Sequence, residues 1–329
     1  MARVEVVAHH EATNAHAFLR VHYAARAGAP ERLFCKLLPS GAERRAAIAA
    51  TGMGEREVHF YSRLAPRLAM RVPEVYFARC EPESGAFVLL MEDLAHTGCT
   101  IPDGTRGVEV DAAAGALADL AALHVRFEDP ARRRSEAGWV APPLHDPGYA
   151  GAMLAEGLAG HRARLGEPFA RVAEIYLAHA DALHALWLEG PTTVVHGDPH
   201  LGNLFDDGGR TGFLDWGIVS TGPPLRDVSY FLAMALDVEV RRRSERDLLR
   251  HYLDRRAALG GSPVSFDEAW RRHREQAAYC VVASCQIARF PKGLSPARER
   301  FSEAFLARAR AAVEDLDALG ALRERGLPG

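Results

Sequence analysis

The stretch His196-Gly197-Asp198-Pro199-His200-Leu201-Gly202-Asn203, followed by Leu214-Asp215-Trp216-Gly217, decides how the chain is read. Apolar Val194 and Val195 lead into this polar loop like the end of a strand, and Asp207-Gly208-Gly209-Arg210 downstream is a hairpin turn signal. Antiparallel pairing across that turn predicts that Asn203 and Asp215 come side by side, with Asp198 on the loop just before them. Two carboxylates and an amide oxygen at one point suit a hard cation such as Mg2+, which takes few protein ligands and leaves positions for phosphate oxygens.

The five-residue step from Asp198 to Asn203 is also that of a kinase catalytic loop. There the Asp accepts the proton of the attacking hydroxyl, the Asn holds metal, and a later Asp-x-Gly supplies the other metal ligand. Here that later motif is Asp215-Trp216-Gly217. Working outward, 4–8, 15–25 and 33–38 read as three antiparallel strands, and the third carries Lys36. A helix over 55–64 then puts Glu57, Phe60, Tyr61 and Leu64 on one face. A Lys on a strand and a Glu on the next helix can form an ion pair that aims the Lys at nucleotide phosphates. Glu55 competes for that role, but its side of the helix carries His59 and Ser62, so Glu57 is preferred. A second hairpin follows over 75–80 and 86–91, around the turn 81–85.

Beyond Asp111 the apolar period becomes helical, with Leu117, Leu120, His124 and Phe127 in step. Further helices are predicted at 149–165 and 168–189, and from Asp227 onward with breaks near Gly260-Gly261 and Pro291; 128–147 reads as a connection of unassigned structure. The 329 residues are 48% apolar, 25% charged and 8% aromatic, an ordinary globular composition. A formal charge of -3 provides no field for nucleic acid or anionic lipid. Five cysteines without a CxxC pair argue against a disulfide framework or zinc knuckle. The N-terminal residues lack the apolar core of a signal peptide, and the longest apolar run, 86–91, is too short for a bilayer, so the expected location is the cytoplasm.

HGDPHLGN and LDWG, together with the upstream segments CKLL, EREVHFY and LLMEDL, resemble the aminoglycoside phosphotransferase and choline kinase-like group of small-molecule kinases. The Glu-x-x-Phe-Tyr helix also looks like the ecdysteroid-kinase-like branch. The likeness covers roughly residues 4–236. It implies an α+β, bilobal protein-kinase-like fold: an N-terminal antiparallel sheet lobe with one main helix over 1–92, and a larger helical lobe over 93–329 holding the catalytic loop 196–217 and an acceptor pocket. It also implies that Met91 to Leu94 is a hinge whose backbone bonds the adenine edge, which makes Glu92 and Leu94 nucleotide-binding residues, and that 9–14, ending at Asn14, covers the phosphates. That presumed phosphate loop departs from the pattern by holding no glycine. Trp216 stands where protein kinases carry Phe, which argues against a protein kinase proper.

Each sharp reading has a plainer rival. Asp198 could cap a turn, Lys36 could guard an edge strand, and His124 and Asp227 read best as a bonded core histidine and a helix cap that also ties the loop. The expected activity is Mg2+-dependent transfer of the γ-phosphate of ATP or GTP to a hydroxyl of a small organic acceptor. Asp198 is the catalytic residue, Asn203 and Asp215 hold the metal, and Lys36, Glu57, Asn14, Glu92 and Leu94 serve the nucleotide. The arginine-rich stretches 241–256 and 271–274 argue for an uncharged or partly apolar alcohol rather than a polycation. Two alternatives stay open: a catalytically silent nucleotide-binding module, and a metal-dependent hydrolase built on His196, Asp198 and His200.

Overall fold

A computed structural model of the protein describes residues 2–11, 13–25 and 28–328. Two compact units form, one from the residues up to 101 together with 205–219, the other from 102–204 together with those from 220 on. In chain order the elements of the N-terminal part are β1 (Arg3–Glu11), β2 (Ala15–His22), β3 (Arg32–Leu37), α1 (Ala42–Ala50), α2 (Met53–His59), β4 (Val75–Glu81) and β5 (Ala86–Glu92). There follow α3 (Val110–Arg126), α4 (Pro130–Ala137), α5 (Pro147–Leu165), α6 (Glu167–Trp187), β6 (Thr193–Val195), β7 (Leu204–Asp207), β8 (Arg210–Phe213) and β9 (Ser220–Gly222). The chain closes with α7 (Leu225–Ala235), α8 (Val238–Ala258), α9 (Phe266–Ala277), α10 (Tyr279–Ala283), α11 (Cys285–Ala288), α12 (Pro296–Asp315) and α13 (Ala318–Glu324).

In the first unit the five strands form an antiparallel sheet in the order β1-β2-β3-β5-β4. Its register places Lys36 opposite His16 on one side and Leu89 on the other. Side chains of directly paired residues share a face, so Lys36 belongs to the His16 and Leu89 face. α2 runs on into a π-helical turn over Phe60–Leu64, and this continuous piece buries Glu57, Val58, Phe60, Tyr61 and Leu64. The expected helical face is therefore present, although the helix is not α throughout. α1 was not expected: none of its nine residues is buried, so it has no apolar stripe to announce it.

The second unit is mainly helical. α7 is buried at every position from Leu225 to Ala235, so it runs through the core as a helix without a solvent face. α3 packs on α8, α5 on α6, and α7 on α9. β6 pairs antiparallel with β9, Val195 facing Ser220. Part of 128–147 is the helix α4, whose Asp129 side chain accepts from the Ala131 N–H and whose first turn opens on Pro130. Among the described residues no helix is long and apolar enough to cross a membrane. The five cysteines are unpaired.

The sequence begins this helix at 55, but Gly54 already lies inside α2, for a packing reason. A Cβ placed there would fall 2.1 Å from the ring of Phe87 on β5, so helix and sheet meet where only a hydrogen fits. Gly54→Ala, a change that favours an exposed helix, is expected here to destabilise by about 1–3 kcal/mol. The urea midpoint measures it, and a midpoint at or above wild type refutes the close approach.

Candidate active site

The predicted site residues fall into two sets, one in each unit. In the first unit Lys36 is 4% and Glu57 2% exposed, and the ammonium Nζ lies 2.7 Å from Glu57 Oε2. Asp215 Oδ1 sits 3.1 Å from the same Nζ. Burial alone would lower the Lys36 pKa, but the carboxylates of Asp215 and Glu57 outweigh it and hold the ammonium above its ordinary value. Glu57 is pushed up to about 7, because its burial and the charge of Asp215 outweigh the attraction of Lys36. Two carboxylates therefore compete for one cation, which leaves Lys36 charged and aimed. Glu55 takes no part in this cluster.

Asp215 adopts a left-handed backbone conformation, φ 54°, uncommon for a residue other than glycine. The chain after it is pinned. Trp216 is fully buried and stacks on Phe60 with ring centroids 3.6 Å apart and planes 5° from parallel, and Arg56 Nε donates to the Gly217 carbonyl at 2.9 Å. The DWG turn is thus fastened to the helix that carries Glu57, through Phe60, which the sequence places on the same face, and through Arg56, which sequence reading did not single out.

The other nucleotide-side candidates fare differently. Residues 9–11 belong to β1, paired with Ala17, His16 and Ala15, so the connection expected over 9–14 shrinks to 12–14, of which Ala12 lies outside the described residues. Asn14 is buried, and its Oδ1 has no hydrogen-bond partner among the described residues. The Glu92 carboxylate is gripped by Arg71 at 2.8 and 3.0 Å and by the Thr97 hydroxyl at 2.7 Å, and Arg71 also reaches Asp207 at 2.6 Å. Burial would raise the Glu92 pKa, but these bonds hold it below the usual carboxylate value. The Glu92 N–H donates to Glu74 O, and the Leu94 carbonyl accepts from Cys99 N. The Glu92 side chain is thus a structural clamp within the first unit.

In the second unit Asp198 leaves β6 through Gly197, whose φ is 89°. The Asn203 amide nitrogen donates to both Asp198 Oδ2 and Asp198 O at 3.0 Å, so its carbonyl oxygen faces away from Asp198. Asp227 ties the loop from beneath. Its Oδ2 accepts from His196 N at 2.6 Å and its Oδ1 from Gly197 N at 2.9 Å, while His124 Nε2 lies 3.2 Å away. His124 Nδ1 in turn meets the Tyr252 hydroxyl at 2.8 Å. Burial would raise the Asp227 pKa, but the hydrogen bond and charge of His124 hold it below the ordinary value. Tyr230 on α7, not singled out in sequence, is buried, and burial and the Asp198 charge push its hydroxyl well above the usual range.

The hydrolase alternative loses its ligands. His196 Nδ1 accepts from Asp198 N at 3.2 Å and His200 Nδ1 from Gly202 N at 2.9 Å, so both imidazoles brace the loop. Among the described residues no group of three or more His, Cys, Asp or Glu is arranged to hold a metal. Asp215 in the first unit and Asn203 in the second each carry a hard oxygen donor of the kind Mg2+ accepts. The arginine-rich stretches also change meaning. Arg241 pairs with Glu245 and Asp315, Arg256 with Glu128, Arg271 and Arg272 with Glu268 and Glu275, and Arg274 with Asp317 and Glu324. These pairs tie many of the arginines of the two stretches into the fold, and Arg246 lies over the Trp270 ring, its guanidinium carbon 4.0 Å from the ring centroid.

Residues 17–275 match the model of APH, the phosphotransferase enzyme family. No curated protein matches the chain. Solved structures of similar fold include the microcompartment-associated aminopropanol kinase, 13% identical, with 99% of this chain and 94% of that one covered at TM-score 0.52. The choline kinase LicA from Streptococcus pneumoniae is 14% identical, over 94% and 93% of the two chains, at TM-score 0.50. A GDP complex of aminoglycoside 2'-phosphotransferase-IIIa is 14% identical, over 94% and 92%, at TM-score 0.50. At such identities the likeness is one of fold: an antiparallel sheet followed by a mainly helical remainder, the protein-kinase-like arrangement.

Asp227→Asn would set an amide nitrogen against backbone donors in a dry site, and a loss of about 2–4 kcal/mol at pH 7 is expected. Because the folded pKa of Asp227 lies below its ordinary 3.8, the wild-type advantage is full above that pH and fades as pH falls through the lower folded value. Denaturant titrations of both proteins from pH 7 to pH 3 check this, and a gap that widens on acidification contradicts it.

Proposed function

This chain belongs to the phosphotransferase enzyme family, and from that premise we propose that it moves the γ-phosphoryl group of ATP or GTP to a hydroxyl of a small organic molecule with Mg2+ as cofactor. In this reading the Asp198 carboxylate takes the proton of the acceptor hydroxyl as its oxygen bonds the γ-phosphorus, while the bond from that phosphorus to the β-phosphate oxygen breaks. Lys36 holds phosphate oxygens, and Glu57 keeps its ammonium charged and directed. Asn203 and Asp215 would hold Mg2+, which supplies neutralising charge on the phosphates when bound. The observation that carries the reading is the buried Lys36–Glu57 pair with Asp215 3.1 Å from the same ammonium: a strand lysine held by a helix glutamate beside the acidic residue of the DWG turn. The GDP complex of the aminoglycoside 2'-phosphotransferase keeps guanine nucleotides in the test alongside ATP.

A silent module is the competing reading, favoured by the short glycine-free turn between β1 and β2. Thermal unfolding with and without Mg2+ plus ATP or GTP separates the two. Nucleotide at 100 times its dissociation constant stabilises by ~2.7 kcal/mol, and Asp215→Ala is expected to remove that rise. Asp198→Ala should retain it while cutting phosphate transfer, read as a mass gain on the alcohol, by about 100-fold or more. Equal loss of nucleotide stabilisation in both variants would overturn the assignment of roles. No rise in the wild type at millimolar nucleotide would favour the silent module.

A further inference from the structure

Among the described residues four arginines are buried: Arg226, Arg241, Arg256 and Arg308. Three of them meet carboxylates. Arg241 lies 2.8 Å from Glu245 and Arg308 2.9 Å from Asp237, and Arg256 is bonded to Glu128. Arg226 is only 7% exposed, yet among the described residues its side chain makes no hydrogen bond or ion pair. Its Nε is cut off from solvent, whereas Nη1 and Nη2 stay reachable from outside and unbonded. A charge taken out of water is nearly always paired, so the missing partner needs an account. What Arg226 does have is a support: its guanidinium carbon lies 4.1 Å from the centroid of the Tyr279 ring. A ring face holds a guanidinium in place and leaves its N–H groups free to meet a planar anion with two parallel bonds.

The place of this guanidinium ties it to Asp198. Arg226 and Tyr230 are four residues apart on α7, so their side chains share one face of the helix. Both meet Tyr279, the Tyr230 ring with its centroid 5.4 Å away. The Asp198 charge acts on the hydroxyls of both tyrosines, and at Tyr279 it opposes the charge of Arg226. A carboxylate and an unpaired guanidinium therefore flank one half-buried tyrosine, and all four residues belong to the second unit. We infer that Arg226 receives an acidic group of the acceptor, which makes the substrate a small hydroxy acid with its hydroxyl at Asp198 and its carboxylate on Nη1 and Nη2. The inference rests on the reading of Asp198 as the residue that takes the hydroxyl proton. Bonds form and break as in that transfer, and the carboxylate is a spectator that orients the alcohol.

The test is calorimetric and saturation-transfer NMR titration of the full chain with glycerate, malate and gluconate, with glycerol as the uncharged control and ethanolamine as the cationic one. At least one hydroxy acid should bind saturably to the wild type and to Asp198→Ala, and about ten-fold or more weakly to Arg226→Met. Neither control should compete with it. Arg226→Met also removes a buried charge that has no counter-charge, so its unfolding midpoint without ligand should equal or exceed that of the wild type. If the variant does not fold, Arg226→Lys, which keeps the charge and loses the planar fork, should show the weakened binding in its place. No saturable binding of a hydroxy acid, preference for glycerol or ethanolamine, or binding undiminished in the Arg226 variants each overturns the inference. Arg226-dependent binding without phosphate transfer from Mg-ATP or Mg-GTP upholds the acid site and counts against the transferase reading, whereas transfer to glycerol in preference to glycerate does the reverse.

Discussion

One buried carboxylate fixes the loop that presents Asp198 in the second unit. The backbone at His196 and Gly197 must turn sharply to present Asp198, and two N–H groups in that turn point into a dry interior. Left unpaired, each would cost roughly 1–3 kcal/mol. Asp227 accepts both, and it can do so without wobble because it sits in the first turn of a helix buried on every side. His124 and Tyr252 continue the chain of bonds behind it, and the Thr193 hydroxyl donates to the His124 carbonyl at 2.6 Å, so β6, α3, α7 and α8 all share in one polar knot. The first unit handles Asp215 by the same logic with different chemistry. There a strained residue is followed at once by a buried aromatic, and the stacking of Trp216 on Phe60 does what hydrogen bonds do in the loop.

The Lys36–Glu57 pair and the five-residue step from Asp198 to Asn203 were legible in the sequence, the first because the apolar helix face chose Glu57 over Glu55 and the second because both residues lie in one short loop. The residues that hold them in place were less legible. Arg56, Arg71 and Tyr230 act across the fold, on Gly217, on Glu92 with Asp207, and on Asp198, and nothing in their own neighbourhoods announces a partner so distant along the chain. Element boundaries failed for a related reason. α1 buries nothing, β9 is three residues long, and β1 extends to Glu11 because pairing with β2 overrides the polar character of His9, His10 and Glu11.

Net charge proved a poor guide to local fields. A helix such as α8 reads as a cationic surface, yet Arg241 and Arg256 point inward to carboxylates, and Arg308 of α12 bonds the carbonyls of Leu236 and Gly104 together with Asp237. Arginine does this where lysine does less well, because its planar fork can meet several oxygens at once. In a chain whose only lysines are Lys36 and Lys292, arginine carries the structural ion pairs. Lys36 is the exception that a compact ammonium between two carboxylates calls for.

The π-helical turn at Phe60–Leu64 also limits how this chain can vary in length. A π turn holds one residue more than the α turn it replaces, so deleting His59, between Glu57 and Phe60, would leave a regular helix and cost little in backbone bonding. Each residue of an α-helix advances the face by about 100°, and the loss would swing Phe60 and Tyr61 out of register with Glu57. The platform under Trp216 and the partner of Lys36 could then not both be kept. An alignment gap that is harmless by helix propensity would therefore separate the anchor of the DWG turn from the anchor of the lysine, and lineages of this fold that lost the extra residue would need a different aromatic beneath that turn.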